Sequence, residues 1–256
     1  MPNLGNRSMH EWIRGRNPVY EVLRSGKRRH FRLLIAKGTH EKGRLPEIIQ
    51  LCEKKDIPLE YANRKFLDEL GNNHQGIALE TEPFHYADLD DIIKEADRRS
   101  EDNFILILDT LQDPQNMGTL LRTAEVVGIH GVILPKRKTA TITPSVVSAS
   151  SGASEYLLIT QMNLVQAIKH LKKNDIWVMG LEGSPQAQKL DDVRLDGNLA
   201  LVVGNEGQGL RPLVRDSCDF LMRIPMRGNI ESLNASVAGS IALFFAWHSR
   251  IDKNLE

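Results

Sequence analysis

The 256-residue chain carries 33 Lys+Arg against 33 Asp+Glu and is 41% hydrophobic, 26% charged and 5% aromatic, an ordinary globular composition. That length suits one or two domains, each with its own core. No apolar run approaches the roughly 18 residues of a membrane span, and the N-terminus lacks a signal-peptide core. Two cysteines far apart, Cys52 and Cys218, exclude a disulfide scaffold and suggest reduced thiols in a cytoplasmic protein.

The neutral balance hides an asymmetry. Residues 1–83 hold 15 basic and 11 acidic side chains, and residues 84–256 hold 18 and 22. Within the first 40 residues nine Lys/Arg face only Glu11 and Glu21. Such a patch attracts phosphate backbones, although a solvated helix end explains it as well.

In chain order, Asn17-Pro18 reads as a cap and first helical residue, opening a helix with Val19, Val22 and Leu23 inward and Gly26 at its end. Phe31 to Ala36 reads as a strand, Leu45 to Lys54 as a helix and Ile57 to Tyr61 as a strand. Asn63 caps a short helix through Leu70, and Gly76 to Glu82 alternates as a strand. Residues 1–83 form one small α/β domain, and 84–103 a charged connector with a helix over 88–99. From residue 104 apolar strands alternate with helical stretches: Phe104 to Leu108, Gly131 to Leu134, Tyr156 to Ile159, Ile176 to Gly180, Leu199 to Val203 and Phe220 to Ile224. Residues 104–256 are therefore an α/β domain on a parallel sheet.

Ligands of open parallel sheets bind beyond the carboxyl ends of the strands. Three loops stand out there. Asp109 to Gly118 enters a helix bearing Arg122. Asn116 suits a helix cap and Arg122 a surface ion pair, but a helix start also holds anions. Gly204 to Gly209 follows a buried strand. Its spacing is neither that of a dinucleotide loop nor that of a phosphate loop, and Glu206 at its tip disfavours phosphate and suits a cationic or hydroxylated ligand. A tight turn needing positive φ explains the glycines equally. Ile224 to Asn234 enters an apolar helix. Ser232 and Asn234 are good helix starters, while Ile224, Met226 and Leu233 suit an adenine pocket. The eight histidines show no metal-ligand spacing, and there is no GxSxG.

Together these loops resemble the three motifs of the SpoU (TrmH-like) branch of the SPOUT RNA methyltransferases. The first is Asn116-Met-Gly-Thr-Leu-Leu-Arg122. The second is Leu201-Val-Val-Gly-Asn-Glu-Gly-Gln-Gly-Leu210. The third is Ile224-Pro-Met226 with Ser232-Leu-Asn234. Ser151-Gly-Ala-Ser-Glu155 fits between the first two. Gly15-Arg-Asn-Pro-Val-Tyr-Glu-Val-Leu23 and His74-Gln-Gly-Ile77 resemble the L30e/L7Ae-like substrate domain of bacterial 23S ribosomal RNA guanosine 2′-O-methyltransferases. The likeness runs from about Trp12 to Arg250.

The resemblance implies a SPOUT-type parallel sheet with a C-terminal trefoil knot, preceded by the small RNA-binding domain. It implies a homodimer using S-adenosylmethionine and no metal. Gly204, Ile224, Met226 and Leu233 would hold the cofactor. Arg122 would lie nearest the ribose 2′-hydroxyl, with Asn116, Glu206, Ser232 and Asn234 orienting it, the ribose or the methionine end. Arg14, Arg16, Arg28, Arg29 and Arg32 would hold RNA through phosphates, since the small domain has few aromatics for stacking. Competing expectations are a transfer RNA substrate, or a non-catalytic RNA-binding assembly factor.

Overall fold

In the computed structural model of the chain, which describes residues 10–205, 207–229 and 232–253, the first strand is one the apolar runs do not announce. β1 (Glu11–Arg14) buries Ile13 fully. It pairs antiparallel with β4 (Ile77–Thr81), which also pairs antiparallel with β2 (His30–Ala36); β3 (Leu59–Ala62) runs parallel to β2 at the edge. Helices α1 (Arg16–Ser25), α2 (Leu45–Lys54) and α3 (Arg64–Leu70) join these strands. α1 starts one residue before Asn17, after Gly15 at φ 88, a conformation glycine adopts at little cost. α3 is capped as expected, with Asn63 accepting from the Lys65 backbone N–H at 3.2 Å.

The second unit starts earlier than its first strand. α4 (Leu89–Arg99) lies in the charged connector, yet Leu89, Ile92 and Ala96 are buried along one stripe. Leu89 and Ile92 belong to a core cluster that also holds Ile105, Ile107 and Ile133. Gly131 admits Ile92 there, because a Cβ would lie 2.4 Å from Ile92 Cγ2. Next come β5 (Phe104–Leu108), α5 (Pro114–Val126), β6 (Gly131–Pro135), α6 (Pro144–Ala149), β7 (Ile159–Met162), α7 (Leu164–Lys173) and β8 (Trp177–Leu181). β9 (Gln188–Lys189), β10 (Leu199–Val203), α8 (Pro212–Arg215), β11 (Phe220–Arg223) and α9 (Ala235–Lys253) complete the chain. The sheet is parallel throughout, in the order β7-β6-β5-β10-β8-β11-β9. β5, β6 and β10 are buried at every residue, as sheet centres covered by helices require.

The chain divides into two compact units, but not at a single boundary. The first takes the chain up to His85 together with Thr141–Tyr156, and the second takes Tyr86–Ala140 and the chain from Leu157. The excursion with α6 therefore belongs to the small unit. A buried ion pair fixes it: Arg28 Nη2 meets Glu155 Oε1 at 2.5 Å, with the two side chains 1% and 0% exposed. Tyr156 Oη donates to Glu21 at 2.6 Å, and Gly152 lets the backbone pass where a Cβ would lie 2.5 Å from Glu21 Cβ.

Candidate active site at the carboxyl ends of the sheet strands

Every loop singled out in the sequence leaves a strand of the second unit at its carboxyl end. There a cavity of about 300 Å³ opens, lined by Leu181, Glu182, Val203, Gly204, Ile224, Met226 and other residues. Gly204, Ile224, Met226, Ser232 and Leu233 all line it, so the glycine loop and the loop before α9 meet in one place. Glu206 lies outside the described residues.

The glycine loop is held from several sides. The backbones of Asn205 and Gly209 bridge each other, at 3.1 and 2.9 Å. Asn205 Oδ1 accepts from the Gly207 N–H at 3.0 Å, and Asn205 Nδ2 donates to the Thr110 carbonyl at 3.2 Å. Gly204 has no room for a side chain, since a Cβ would sit 2.4 Å from the Gly209 carbonyl carbon. Asp109, fully buried at the end of β5, accepts from Arg211 Nε at 2.7 Å and from the Arg211 backbone N–H at 2.9 Å.

Asn116 is not the cap of α5. Asp113 takes that role, accepting from the backbone N–H groups of Gln115 and Asn116, and Pro114 starts the helix four residues before Gly118. The Asn116 side chain is thereby released to face α9. Asn234 Nδ2 donates to Asn116 Oδ1 at 3.1 Å, while Asn234 Oδ1 accepts from the Ser236 and Val237 backbone N–H groups at 2.9 and 3.3 Å. Buried Ser236 places its Oγ 3.0 Å from Asn116 Oδ1 and 2.6 Å from Asn234 Oδ1. Asn234 is thus both helix starter and bridge. Gly239 lets α9 settle on α5, because a Cβ there would lie 2.6 Å from Leu120 Cδ2. Arg122 is exposed on α5, six residues beyond Asn116 and so about 9 Å along the axis.

Sequence reasoning passed over Glu182, Asp109, Arg211 and Ser236. Glu182 had a usable signal, since it directly follows a buried strand. Asp109 and Arg211 lie 102 residues apart, and no local pattern pairs them.

The arginines expected to hold RNA fare differently. Arg28 is corrected: it is buried, Nε donates to Glu155 at 2.9 Å and Nη1 meets Glu11 at 3.1 Å, so its guanidinium braces the small unit. Burial raises the Glu11 pKa against the pull of that guanidinium. Arg32 is neutralised between Glu80 at 2.6 Å and Glu60 at 2.9 Å. Arg14 donates to the Leu70 carbonyl at 2.8 Å, and Arg16 to the carbonyls of His40 and Lys42. Arg29 stays exposed, above the Phe31 ring.

A parallel α/β sheet with a small, partly apolar cavity under a glycine loop at its carboxyl edge defines a nucleoside-binding enzyme fold. The sequence profile of the SpoU rRNA Methylase family matches residues 103–244, and a profile described as RNA 2′-O ribose methyltransferase substrate binding matches residues 12–87. The chain belongs to the SpoU rRNA methylase family and is an RNA methyltransferase of the SpoU/TrmH type. It is 40% identical over 246 residues to YacO of Bacillus subtilis (strain 168), named for the TrmH family of tRNA/rRNA methyltransferases, covering 94% of this chain and 96% of that one. Its fold resembles that of the SpoU methyltransferase AviRb from Streptomyces viridochromogenes, crystallised with AdoMet (TM-score 0.79, 23% identity, 97% and 96% of the chains). It also resembles a TrmH/SpoU tRNA modifying enzyme of A. aeolicus (TM-score 0.55, 26% identity, 65% and 84%). Among the described residues no helix is long and apolar enough to cross a membrane, and no cluster of three His, Cys, Asp or Glu could hold a metal ion.

Proposed function

We propose that the protein transfers a methyl group from S-adenosylmethionine to a ribose 2′-hydroxyl of 23S ribosomal RNA, at a guanosine, and works as a homodimer. The observation that carries this reading is the cavity itself. Gly204, Ile224, Met226, Ser232 and Leu233 share it, and the Asn116–Asn234 bridge ties the helix bearing Arg122 to the same loop.

The lining fits the cofactor. Apolar Val203, Ile224, Met226 and Leu233 suit an adenine ring. Among the described lining residues the charged one is Glu182, with no Lys or Arg to pair with a phosphate. Glu182 is paired with Arg215 Nε at 2.9 Å, so what it offers the cavity is a carboxylate oxygen able to accept from the ribose hydroxyls of an S-adenosyl group, with no lining cation for a nucleoside phosphate. When bound, the cofactor supplies an activated methyl group on a good leaving group. The protein's work is then alignment. Gly204 and Gly209 keep backbone close to the cavity, and Asn205 stiffens that loop. Arg122 positions the ribose hydroxyl and its neighbouring phosphate, with the proton passing to phosphate or solvent. An arginine base is disfavoured, because its pKa exceeds about 12. Asn116 and Asn234 fix the spacing between Arg122 and the cofactor loop.

Two further parts of the reading have their own support. Val237, Ile241 and Phe244 are 45%, 41% and 50% exposed along α9, and Val126 on α5 is 63% exposed; an apolar face of this kind suits a second copy of the chain. The trefoil knot has its support in the family resemblance of the three loops.

The test is methyl transfer from labelled S-adenosylmethionine to unmodified 23S ribosomal RNA and to transfer RNA. A single alkali-resistant 2′-O-methyl guanosine in 23S RNA is the expected product. Label confined to transfer RNA overturns the substrate. No label on either RNA overturns the activity.

A further inference from the structure

With four of the five expected arginines held by carboxylates or backbone, the small unit needs another surface for RNA. Several exposed cations outside that set make no ion pair among the described residues, and four of them share one end of the sheet. Lys37, Lys42, Arg64 and Lys65 are exposed, and none is within salt-bridge distance of an acid among the described residues.

All four project from one end of the sheet. β2 and β3 are parallel with Ala36 opposite Ala62, so Lys37 and Arg64 follow adjacent strand ends. The Lys37 backbone N–H donates to the Ala62 carbonyl at 2.9 Å. The loop bearing Lys42 is drawn to this end by Arg16, whose guanidinium donates to the carbonyls of His40 and Lys42. The Arg16 backbone N–H in turn donates to Gln75 Oε1 at 2.9 Å, tying in the loop that precedes β4.

These loops are built, not slack. Asn73 and Gln75 have positive φ (62° and 52°), a state that residues with a side chain keep only where the surroundings enforce it, and Gly38, Gly43, Gly71 and Gly76 supply the same turn at little cost. At Gly76 a Cβ would lie 2.5 Å from Thr39 Oγ1, so two of the loops touch. At the same edge Tyr61 and Phe66 are 62% and 44% exposed. The register places Tyr61 with Ile35, on the face opposite Ala62 and α3, so the aromatics flank the edge from its two sides. Exposed rings beside unpaired cations are what single-stranded nucleic acid recognises, through stacking and phosphate contacts.

We infer that this end of the small unit, bearing Lys37, Lys42, Arg64 and Lys65 with Tyr61 and Phe66, is where the enzyme grips RNA: the cations on phosphates, the rings on unpaired bases. The inference rests on the RNA-directed activity proposed above. It moves the grip from the arginines of β1, α1 and β2 to the loops after β2 and β3.

The experiment compares full-length wild type with two variants. One carries Lys37→Gln, Lys42→Gln, Arg64→Gln and Lys65→Gln; the other carries Arg32→Gln. Binding of transcribed 23S RNA fragments is followed against salt, and S-adenosylmethionine affinity is measured in parallel. Each lost phosphate contact lowers the salt slope by about 0.7, so the fourfold variant should lose about 3 from the slope and about 100-fold in affinity. Its cofactor affinity should stay as in wild type, and its urea unfolding and circular dichroism should match wild type, which shows that the small unit is still folded. Arg32→Gln should change RNA affinity less than twofold. Tyr61→Ala with Phe66→Ala should weaken binding about tenfold with the slope unchanged. An unchanged slope in the fourfold variant, or a larger loss from Arg32→Gln, overturns the inference and leaves the proposed activity standing. Wild type that binds and methylates no RNA overturns both.

Discussion

Asn234 and Asn116 are 118 residues apart and joined side chain to side chain, Nδ2 donating to Oδ1 at 3.1 Å. The bond links the helix that carries Arg122 to the loop that supplies Ser232 and Leu233 to the cavity. Asn116→Ala and Asn234→Ala should each lower kcat at least 10-fold. Residues in one network couple, so the double variant should cost clearly less than the product of the single losses. Fully multiplicative effects in the cycle would show that the bridge has no role in the reaction.

Arg122→Ala should lower methyl transfer by at least about 1000-fold while S-adenosylmethionine binds as in wild type, because Arg122 is not among the residues lining the cavity. Calorimetry alongside single-turnover transfer separates the two. Activity within tenfold of wild type would remove Arg122 from the reaction.

Gly204→Ala should weaken cofactor binding at least about tenfold. The new Cβ would meet backbone atoms at 2.4, 2.5 and 2.7 Å, which no rotamer can relieve. Equilibrium dialysis with labelled cofactor measures it, and wild-type affinity would contradict the close packing of Gly204 on Gly209.

The Arg28–Glu155 pair tests the excursion of residues 141–156. Removing one partner of a buried ion pair leaves an uncompensated charge, so Arg28→Ala, which strands buried Glu155, should cost about 3–5 kcal/mol, and Glu155→Ala less, because Glu11 still faces Arg28 at 3.1 Å. Replacing both by apolar residues of similar size should cost far less. Urea unfolding of the three variants gives these values, and a loss below about 1 kcal/mol from Arg28→Ala would contradict a buried pair.

Cys52 and Cys218 should resist alkylation. Burial pushes both thiols up to about 12, so at pH 8 almost none is thiolate. Mass spectrometry after iodoacetamide on the native protein should find both unmodified, with both labelled in guanidinium. Native labelling at Cys52 would contradict its full burial.

Much of the architecture was legible locally. α2 occupies the range its apolar spacing indicates, and β5 and β10 are the continuous apolar runs of the sequence, because a strand covered on both faces must be apolar at every position. The candidate site was legible for the same reason: its residues sit in loops directly after such strands, with Gly204 and Gly209 marking close backbone approach. β1 was missed because Ile13 is its one buried side chain and three half-exposed neighbours leave no period to read. Asn116, whose residue type alone also suits a cap, is not one, because the helix already starts at Pro114 with Asp113 accepting from the Gln115 and Asn116 N–H groups.

What the sequence determined alone was everything carried by near neighbours: the strand and helix alternation, the parallel sheet, the order of the three loops, and the chemistry those loops can support. What only the tertiary structure decided was which charges remain available. Nine basic residues near the N-terminus suggested an RNA surface there, yet Arg28 finds Glu155 127 residues away and Arg32 finds Glu60 and Glu80 across the sheet. A charged side chain's role depends on its partner in space. Burial makes an unpaired charge so costly that the fold must supply that partner wherever the chain happens to carry it.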